Sequence, residues 1–586
     1  MKWVLAEHDA GAAALLSRET GISPLMARLL VVRGIGDLSA ARSFLSTELS
    51  SLSDPRTFRD MDQAVTRISE AIRRHEPITV FGDYDVDGVT GSAVLFLALR
   101  DLGADVQAYI PDRMSEGYGL NSDALGRLAG AGVRLVITVD CGISALREAD
   151  HARSLGIDLI ITDHHESDAM RSGSDHGQAS VFPRAFAILH PSLLSENASE
   201  DVRQRVSGLT GVGMAFKLVQ GLLKAESSDP VVQKYLDLVT LGTVADMGRI
   251  TGENRILVRH GLNMLSSNDA MLRPGVAALK QAAGISGKRV TVGTVGFSLA
   301  PRINASGRLA RADTAFRLLT TDDPGEAGRL ANDLDAVNRE RQAVEESIWK
   351  EARERCLAFD PAATGAFVLS SPAWHPGVVG IVASRISDEF YRPAVLIAVK
   401  DGVGKGSARS IPGYDLYSGL SRCSDILLGF GGHKYAAGLS ISEEQVPRLQ
   451  ERLSADVRES LGAGGFVRKM TIDAPITFNE INLDLLNDID RMSPYGQGNP
   501  EPRLGSKELE VLSVRTVGNG SKHVKMRLRQ KESSLSFEAI AYGKGEQFGS
   551  RLRPGKRIAV VFTPRMNTWN NMSNIELDVR DIKVDE

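Results

Sequence analysis

Cysteine is nearly absent. The 586 residues hold three, Cys141, Cys356 and Cys423, with no CxxC pair among them. That excludes a thiolate zinc site and a disulfide framework, and it fits a reducing cytoplasm. Long apolar runs are missing too. None approaches the ~18 residues a membrane span needs, so no membrane association is expected. The N-terminus reaches Glu7 and Asp9 too early for a secretory signal. No single sign of charge dominates, the net value being −4, and with 42% hydrophobic and 24% charged residues the composition is that of an ordinary globular protein. The length exceeds what one core supports and predicts two to four domains.

The balanced total hides a basic window. Between Arg515 and Arg565 twelve Lys/Arg stand (Arg515, Lys522, Lys525, Arg527, Arg529, Lys531, Lys544, Arg551, Arg553, Lys556, Arg557, Arg565) against three acids, Glu532, Glu538 and Glu546, a local balance of +9. Such a patch points to a polyanion, although a solvated basic face has the same composition. Aromatics available for base stacking there are few: Phe537, Tyr542, Phe548, Phe562 and Trp569. Phe537 and Phe562, flanked by strand residues, read as core.

Along the chain, residues 1–74 read as helical and carry no recognisable chemistry. From about 75 to 250, apolar β-branched runs alternate with helical patterns, which predicts a parallel sheet covered on both faces in a domain bounded at 75–320. Asp322-Asp323-Pro324 then opens a long helical pattern over 321–360, a connector of about 50 Å at 1.5 Å per residue. A second α/β region covers 361–460. Gly462-Ala463-Gly464-Gly465 marks a linker. Residues 466–586 alternate in short strands with turns such as Gly518-Asn519-Gly520, a pattern for a small OB-type β-barrel of the kind that binds single-stranded nucleic acid. The expected fold is therefore α/β: a parallel-sheet domain, a long helix, a second α/β domain and a C-terminal barrel.

The strongest signal lies at the ends of three apolar runs: Val80-Phe81-Gly82-Asp83-Tyr84-Asp85-Val86-Asp87-Gly88, Val136-Ile137-Thr138-Val139-Asp140-Cys141-Gly142 and Ile160-Ile161-Thr162-Asp163-His164-His165-Glu166. A fourth carboxylate, Asp246, ends the run Leu236–Ala245, read here as another strand. Ligands in open α/β folds gather at the carboxyl ends of parallel strands, so these ends predict one convergent site. Asp83, Asp85 and Asp87 would share a face if the chain is still extended there. Gly82 and Gly88 permit tight backbone paths, and Cys141 would point away. Oxygen and imidazole donors without thiolates suit Mn²⁺ or Mg²⁺. Two such ions can clamp the attacking and leaving oxygens of an in-line phosphoryl displacement.

The strings GDYDVDG, VDCG and DHHE resemble the first three motifs of the DHH phosphoesterase superfamily. Ile110-Pro111-Asp112-Arg113 with Glu116–Asn121, Ala300–Arg308, Gly406–Ser410, Gly431-Gly432-His433 and Pro494–Pro500 narrow the likeness to its bacterial 5′→3′ exonucleases specific for single-stranded DNA. The resemblance implies degradation of single strands to mononucleotides by two-metal hydrolysis, in DNA repair and recombination. It implies that Asp85, Asp140, His164 and Asp246 hold one ion and Asp83 and Asp140 the other. Asp87 would orient a metal-bound water or order the loop. His165 would contact the scissile phosphate or protonate the leaving oxygen. Many members carry a His two positions before the first motif Asp. Here that position is Phe81, leaving the second ion one protein ligand fewer.

For substrate, the resemblance implies Arg113, Ser407 and Arg409 at the 5′-phosphate, Arg302, Asn304 and Arg308 along the backbone near the scissile bond, and His433 donating to phosphate. The partners implied are single-stranded DNA, a single-strand binding protein and a RecQ-type helicase, with the enzyme a monomer. A phosphodiesterase for short oligoribonucleotides or cyclic dinucleotides, a non-catalytic single-strand-binding scaffold and a pyrophosphatase are the competing readings. The basic barrel region argues against the first and last, and the complete ligand set against the scaffold.

Overall fold

The computed structural model describes residues 1–113, 115–166, 182–226, 229–309, 312–531, 533–569 and 572–584. The N-terminal region is not wholly helical. It opens with a strand, β1 (Lys2–Leu5), before helices α1 (Ala10–Thr20), α2 (Pro24–Val32), α3 (Leu38–Leu45) and α4 (Met61–Arg74). Asp9, Ser23 and Asp37 begin the first three by accepting first-turn N–H groups, the usual remedy for the orphan donors of a helix start.

The first lobe is built on β2 (Ile78–Gly82), β3 (Val106–Tyr109), β4 (Leu135–Val139), β5 (Asp158–Thr162) and β6 (Ala187–Leu189), ordered β3-β2-β4-β5-β6 with every pairing parallel. Val80, Ile137 and Ile160 belong to the core on one face, Phe81, Val136 and Ile161 to that on the other. This two-sided burial is why the strands read as continuous apolar runs. Strand order reverses between β2 and β4, so the crevice beyond their carboxyl ends is the switch point where ligands bind in such sheets.

Helices α5 (Val86–Asp101), α6 (Gly211–Leu223), α7 (Leu236–Ala245) and α8 (Ala300–Leu309) surround that crevice. Helix α7 corrects the strand expected before Asp246. Leu236 through Val244 are all buried. A helix buried all round has no polar stripe, so its run of apolar and β-branched residues imitates a strand.

The 34-residue α9 (Pro324–Leu357) crosses to the second lobe, with Asp323 as cap and Pro324 in its first turn. That lobe carries β7 (Phe367–Ser371), helix α10 (Val379–Phe390), β8 (Ala394–Lys400), β9 (Val403–Arg409), β10 (Leu427–Gly432) and β11 (Ala436–Ser442). The sheet order is β10-β11-β9-β8-β7, with only β7–β8 parallel. Ile348, Ala352 and Cys356 of α9 share its core with Trp374 and Val382.

After β12 (Lys469–Ile472) and β13 (Ala474–Pro475) come β14 (Leu504–Val517), β15 (His523–Gln530), β16 (Ser536–Ala541), β17 (Arg557–Trp569) and β18 (Met572–Val584). The pairings β14–β15–β16–β18–β17 return to β14 and close a five-stranded, OB-type barrel. The N-terminal region clasps it. Strand β1 pairs in parallel with β12, and Leu16, Met26 and Leu30 share a core with Phe478, Leu509 and Phe562. Buried Arg255 of the first lobe donates to Phe44 O, Arg491 O and Ser493 O. One side chain thus joins lobe, clasp and barrel.

Candidate active site

Strand β2 ends at Gly82, where a Cβ would collide with the Ser92 hydroxyl, and a Cβ on Gly88 would lie 2.6 Å from the Asp83 backbone. Only glycine lets the chain fold this sharply here. The turn ends the extended run, so the three motif carboxylates do not share a strand face. Asp83 lies just past β2. Asp85 caps α5, its Oδ1 accepting from Asp87 N (2.9 Å) and Gly88 N (3.1 Å). Asp87 sits inside the first turn of α5. Its carboxylate accepts from Gly211 N (2.6 Å) and Val212 N (2.9 Å) at the start of α6. It is thereby held between two helix N-termini, whose partial positive charge favours an anion.

Asp140 follows β4 with a left-handed φ of +63°, and a Cβ on Gly211 would fall 2.6 Å from its own Cβ. His164 and His165 follow β5. His164 Nε2 lies 3.1 Å from Asp140 Oδ1, 3.7 Å from Asp87 Oδ2 and 3.7 Å from Asp246 Oδ2. Two ligand groups emerge: Asp83, Asp85 and Asp140 in one, Asp87, His164 and Asp246 in the other, with Asp140 also beside His164 and His165. All five expected ligands therefore converge. Asp85 groups with Asp83 rather than with His164, and Asp87 takes the place beside His164.

Asp83 Oδ1, Asp140 Oδ1 and His164 Nε2 are buried without a hydrogen-bond partner. Such atoms are costly unless something pairs them, and a hard divalent cation is what this donor set fits. Electrostatics agree. Burial and then Asp85 lift Asp83 to about 8 and Asp87 to about 7, burial and Asp87 lift Asp246 to about 8, and Asp140 is raised as well. Burial and His165 push His164 down to about 3, so its imidazole is neutral and ready to ligate. Phe81 stacks on Tyr109 at 5.0 Å in the apolar core and offers the site nothing. Cys141 is likewise buried in that core.

His165 Nδ1 is 2.8 Å from Asp163 Oδ1. Burial disfavours the charged imidazole, but this bond and the surrounding carboxylates outweigh it and raise His165 to about 9. Burial alone would raise Asp163. The bond from His165 and the backbone N–H groups of Ile143 and His165 hold it low instead. Tyr118, set between left-handed Gly117 and Gly119, donates to Asp140 O (3.1 Å) and lies 3.3 Å from His165 Nδ1. Asp163, Tyr118 and the α6 N–H groups contact the candidate site residues, and the motif reading gave none of them a role. Asp163 was visible as the first letter of DHH, whereas nothing in residues 211–212 announces an Asp87 partner.

A pocket of about 330 Å³ joins Asp83, Asp85, Asp87 and Asp246 to Arg113, Asn304 and Arg308. Arg113 lies over the Tyr84 ring at 5.0 Å. Arg308 donates to Gly377 O of the second lobe (2.9 Å), bridging the cleft. Burial, with Arg113, Arg341 and Arg409 nearby, lowers it to about 10, and two guanidiniums, Arg113 and Arg308, line the pocket, as an anion site requires. Ser407 and Arg409 meet at the start of α10, where a Cβ on Gly380 would lie 3.2 Å from Ser407 Oγ and 3.5 Å from Arg409 Nη2.

Arg302 is placed differently from Arg308. It pairs with Asp335 of α9 (2.9 Å) and donates to Ser298 O, and it does not line the pocket. Its guanidinium is used inside the protein. His433 is exposed between β10 and β11 with its backbone N–H on Ala436 O (2.7 Å), also outside the pocket lining.

The barrel's basic window is partly neutralised from outside it. Lys525 pairs with Glu576, Arg529 with Glu510, Lys544 with Asp581, and Arg565 with Glu501 and Asp578. Among the described residues, Arg515, Lys522, Arg527, Lys531, Arg551, Arg553, Lys556 and Arg557 form no ion pair, and all are exposed. Phe548 and Phe562 are core, Phe537 packs edge-on against Phe478, and the Trp569 side chain lies outside the described residues.

Three family models match: the DHH family N-terminal domain over residues 77–243, the DHHA1 domain over 363–459 and the RecJ OB domain over 472–581. The single-stranded-DNA-specific exonuclease RecJ of Bacillus subtilis is 38% identical, across 100% of this chain and 71% of that protein. The crystal structure of RecJ from Thermus thermophilus in complex with Mn²⁺ superposes with a TM-score of 0.80 at 30% identity, over 100% of this chain and 80% of that one. Its complex with Mg²⁺ gives 0.75 at 29%, over 100% and 79%. With that identity along the whole chain and three matching family domains, this protein belongs to the RecJ family of single-stranded-DNA-specific exonucleases.

Proposed function

We propose that this chain hydrolyses single-stranded DNA from its 5′ end to mononucleotides, using two Mn²⁺ or Mg²⁺ ions. The observation that carries this reading is the set of buried, unpartnered ligand atoms on Asp83, Asp140 and His164, grouped with Asp85, Asp87 and Asp246, which line one pocket with Arg113, Asn304 and Arg308. When bound, divalent cations supply an acidified water and charge neutralisation at the phosphate. The chain's own residues do the rest. Asn304 and Arg308 hold the phosphate backbone, and Arg113 reaches the 5′-phosphate. Ser407 and Arg409 meet the terminal phosphate at the N-terminus of α10, where backbone N–H groups favour anions. Asp163 fixes the His165 ring through Nδ1, leaving Nε2 to carry a proton toward the departing oxygen. Tyr118 steadies that ring and the Asp140 carbonyl.

The exposed cations of the barrel would track the strand by its phosphates, with a salt slope of about −0.7 per contact. The pocket is completed within one chain, which fits a monomer, and three unpaired buried cysteines fit the cytoplasm. A role in DNA repair and recombination, alongside a single-strand binding protein and a RecQ-type helicase, belongs to the same reading.

The test is digestion of single-stranded oligonucleotides labelled at either end, with Mn²⁺ or Mg²⁺, beside matched duplex and RNA. Immediate release of the 5′ label as mononucleotide from single-stranded DNA alone is expected. Early release of the 3′ label would overturn the polarity, and preference for short RNA would move the substrate class.

A further inference from the structure

The loop from Asp112 to Tyr118 has little of its own to hold it. Between Arg113 and Tyr118 no described residue is buried. Tyr118 stands between two left-handed glycines, Gly117 (φ +82°) and Gly119 (φ +80°). A segment with so few buried contacts opens easily unless something ties it down. Yet this loop contributes Arg113 and Tyr118 to the metal pocket, and both hold a definite place. Arg113 lies over the Tyr84 ring at 5.0 Å, and the Tyr118 hydroxyl donates to Asp140 O at 3.1 Å.

Glu116 is what ties it down. Its backbone N–H donates to Asp112 O (2.8 Å) and its carboxylate accepts from Asp112 N (2.9 Å), closing the turn that carries Arg113. The same carboxylate accepts from the Tyr109 hydroxyl and from Arg127 Nη2 (2.7 Å), and Arg127 also donates to the Tyr109 oxygen. Tyr109 ends β3, with its ring stacked on Phe81 of β2. Arg127 belongs to the helix Ser122–Gly130. One side chain thus fastens the loop to the sheet and to the next helix. Burial would raise the Glu116 pKa, but Tyr109, the Asp112 N–H and Arg127 outweigh it and hold it low. The carboxylate stays ionised, and its hydrogen bonds are of the strong, charge-assisted kind. Glu116 does not itself line the pocket, so its effect passes through what it holds.

We propose that Glu116 is a positioning residue: with Tyr109 and Arg127 it sets Arg113 and Tyr118 as one rigid unit, so that capture of the 5′-phosphate and orientation of the His165 ring are fixed together. This rests on the exonuclease reading above and its placement of Arg113 at the 5′-phosphate. A guanidinium on a loose loop loses conformational freedom each time it binds, and that cost weakens the contact. On a clamped loop the ordering is already done in the fold. An ion pair that only stabilised the protein would, when broken, affect DNA with either 5′ end alike. A positioning role ties the loss to the terminal phosphate.

The experiment uses the full-length protein with Mn²⁺ and two single-stranded oligonucleotides of one sequence, one ending in a 5′-phosphate and one in a 5′-hydroxyl. Wild type, Glu116→Ala, Tyr109→Phe, Arg113→Ala and the double variant Arg113→Ala/Glu116→Ala are compared, with thermal melts to check folding. Wild type should have the lower KM on the phosphorylated end. Glu116→Ala should raise that KM by about 10- to 100-fold, the worth of one charge-assisted contact. It should leave KM for the hydroxyl end unchanged and lower kcat on both through Tyr118. Tyr109→Phe keeps the ring on Phe81 and removes only the hydroxyl. It should move KM the same way by less, and it carries the test if Glu116→Ala melts early. In the double variant, Glu116→Ala should add nothing to the KM effect of Arg113→Ala. Variants that keep the wild-type preference for the 5′-phosphate, or a KM penalty equal at both ends, would overturn the clamp. So would a wild type indifferent to the 5′-phosphate. A wild type that degrades no single-stranded DNA would instead remove the exonuclease reading beneath it.

Discussion

Asp140 is the side chain on which the metal site turns. Its Oδ1 is buried and unpartnered and faces His164 Nε2 at 3.1 Å, and the residue groups both with Asp83 and Asp85 and with His164 and His165. Asp140→Ala should lower kcat by on the order of a thousandfold or more, since one ligand serves both halves of the centre. Anisotropy with a labelled single strand should report nearly unchanged binding, because the barrel and the arginines stay in place. Retained cleavage would remove Asp140 from the bridging role. Arg302 and Arg308 offer a second contrast within one helix. Arg308 opens into the pocket, whereas Arg302 is tied to Asp335, which also pairs with Arg339. Arg308→Ala should therefore raise KM for DNA about tenfold or more, the worth of a charge-assisted phosphate contact. Arg302→Ala should leave KM alone and cost about 1–3 kcal/mol of stability, because it strips one of two cations from a buried Asp335. A KM effect from Arg302→Ala with an unchanged melting temperature would return it to the substrate site.

At the scale of the element, the approach of α6 to the β4 end is the tightest constraint. The Gly211 N–H holds Asp87, and its missing side chain makes room for Asp140. Gly211→Ala should push α6 outward, separate Asp87 from Asp140 and weaken Mn²⁺ affinity about 10- to 100-fold, as loss of a supporting contact to a metal site does. Isothermal titration with Mn²⁺ measures it, and wild-type affinity would show that the helix yields without disturbing the ligands. Such contacts also show where sequence reading stops. The ends of β2, β4 and β5 were legible because two-faced burial writes continuous apolar runs that stop at Asp83, Asp140 and Asp163. The capping of α9 by Asp323 was legible because it is local in sequence. Helix α7 was not, since a helix buried on every side loses the stripe that marks it. The division of labour between two basic residues was not legible either: Arg302 and Arg308 look alike in sequence, and only the position of Asp335, thirty-three residues beyond Arg302, separates them. The clasp of β1 onto β12 joins segments far apart in the chain, and no local pattern encodes such a pairing.

For the molecule as a whole, the metal centre is a source of instability when metal is removed, and pH reveals it. In the metal-free protein Asp83 and Asp246 are raised to about 8 and Asp87 to about 7, with Asp140 raised too, against about 3.9 in the unfolded chain. A group whose folded pKa is raised binds more protons in the fold, so stability is lost as pH climbs through the folded value. His165, raised to about 9, acts in the same direction above its unfolded value of about 6.5. His164 and His190, both lowered by burial first of all, act oppositely but only as pH falls below that unfolded value. Between pH 6.5 and 8 the raised groups therefore act alone. EDTA-treated protein should melt progressively earlier across that window, by about 2–4 °C for each kcal/mol lost in a lobe of this size. Bound Mn²⁺ takes the place of the shared protons, so the loaded protein should show a nearly flat profile. The shift should be confined to the first lobe's transition, because the barrel and the second lobe hold none of these groups and the chain need not unfold in one step. Asp140→Asn removes one of the crowded charges, and it should flatten the metal-free profile while abolishing the gain from Mn²⁺. A metal-free melting temperature that rises from pH 6.5 to 8 would mean that the carboxylates are already ionised and paired without a cation, and the case for a built two-ion centre would fail with it.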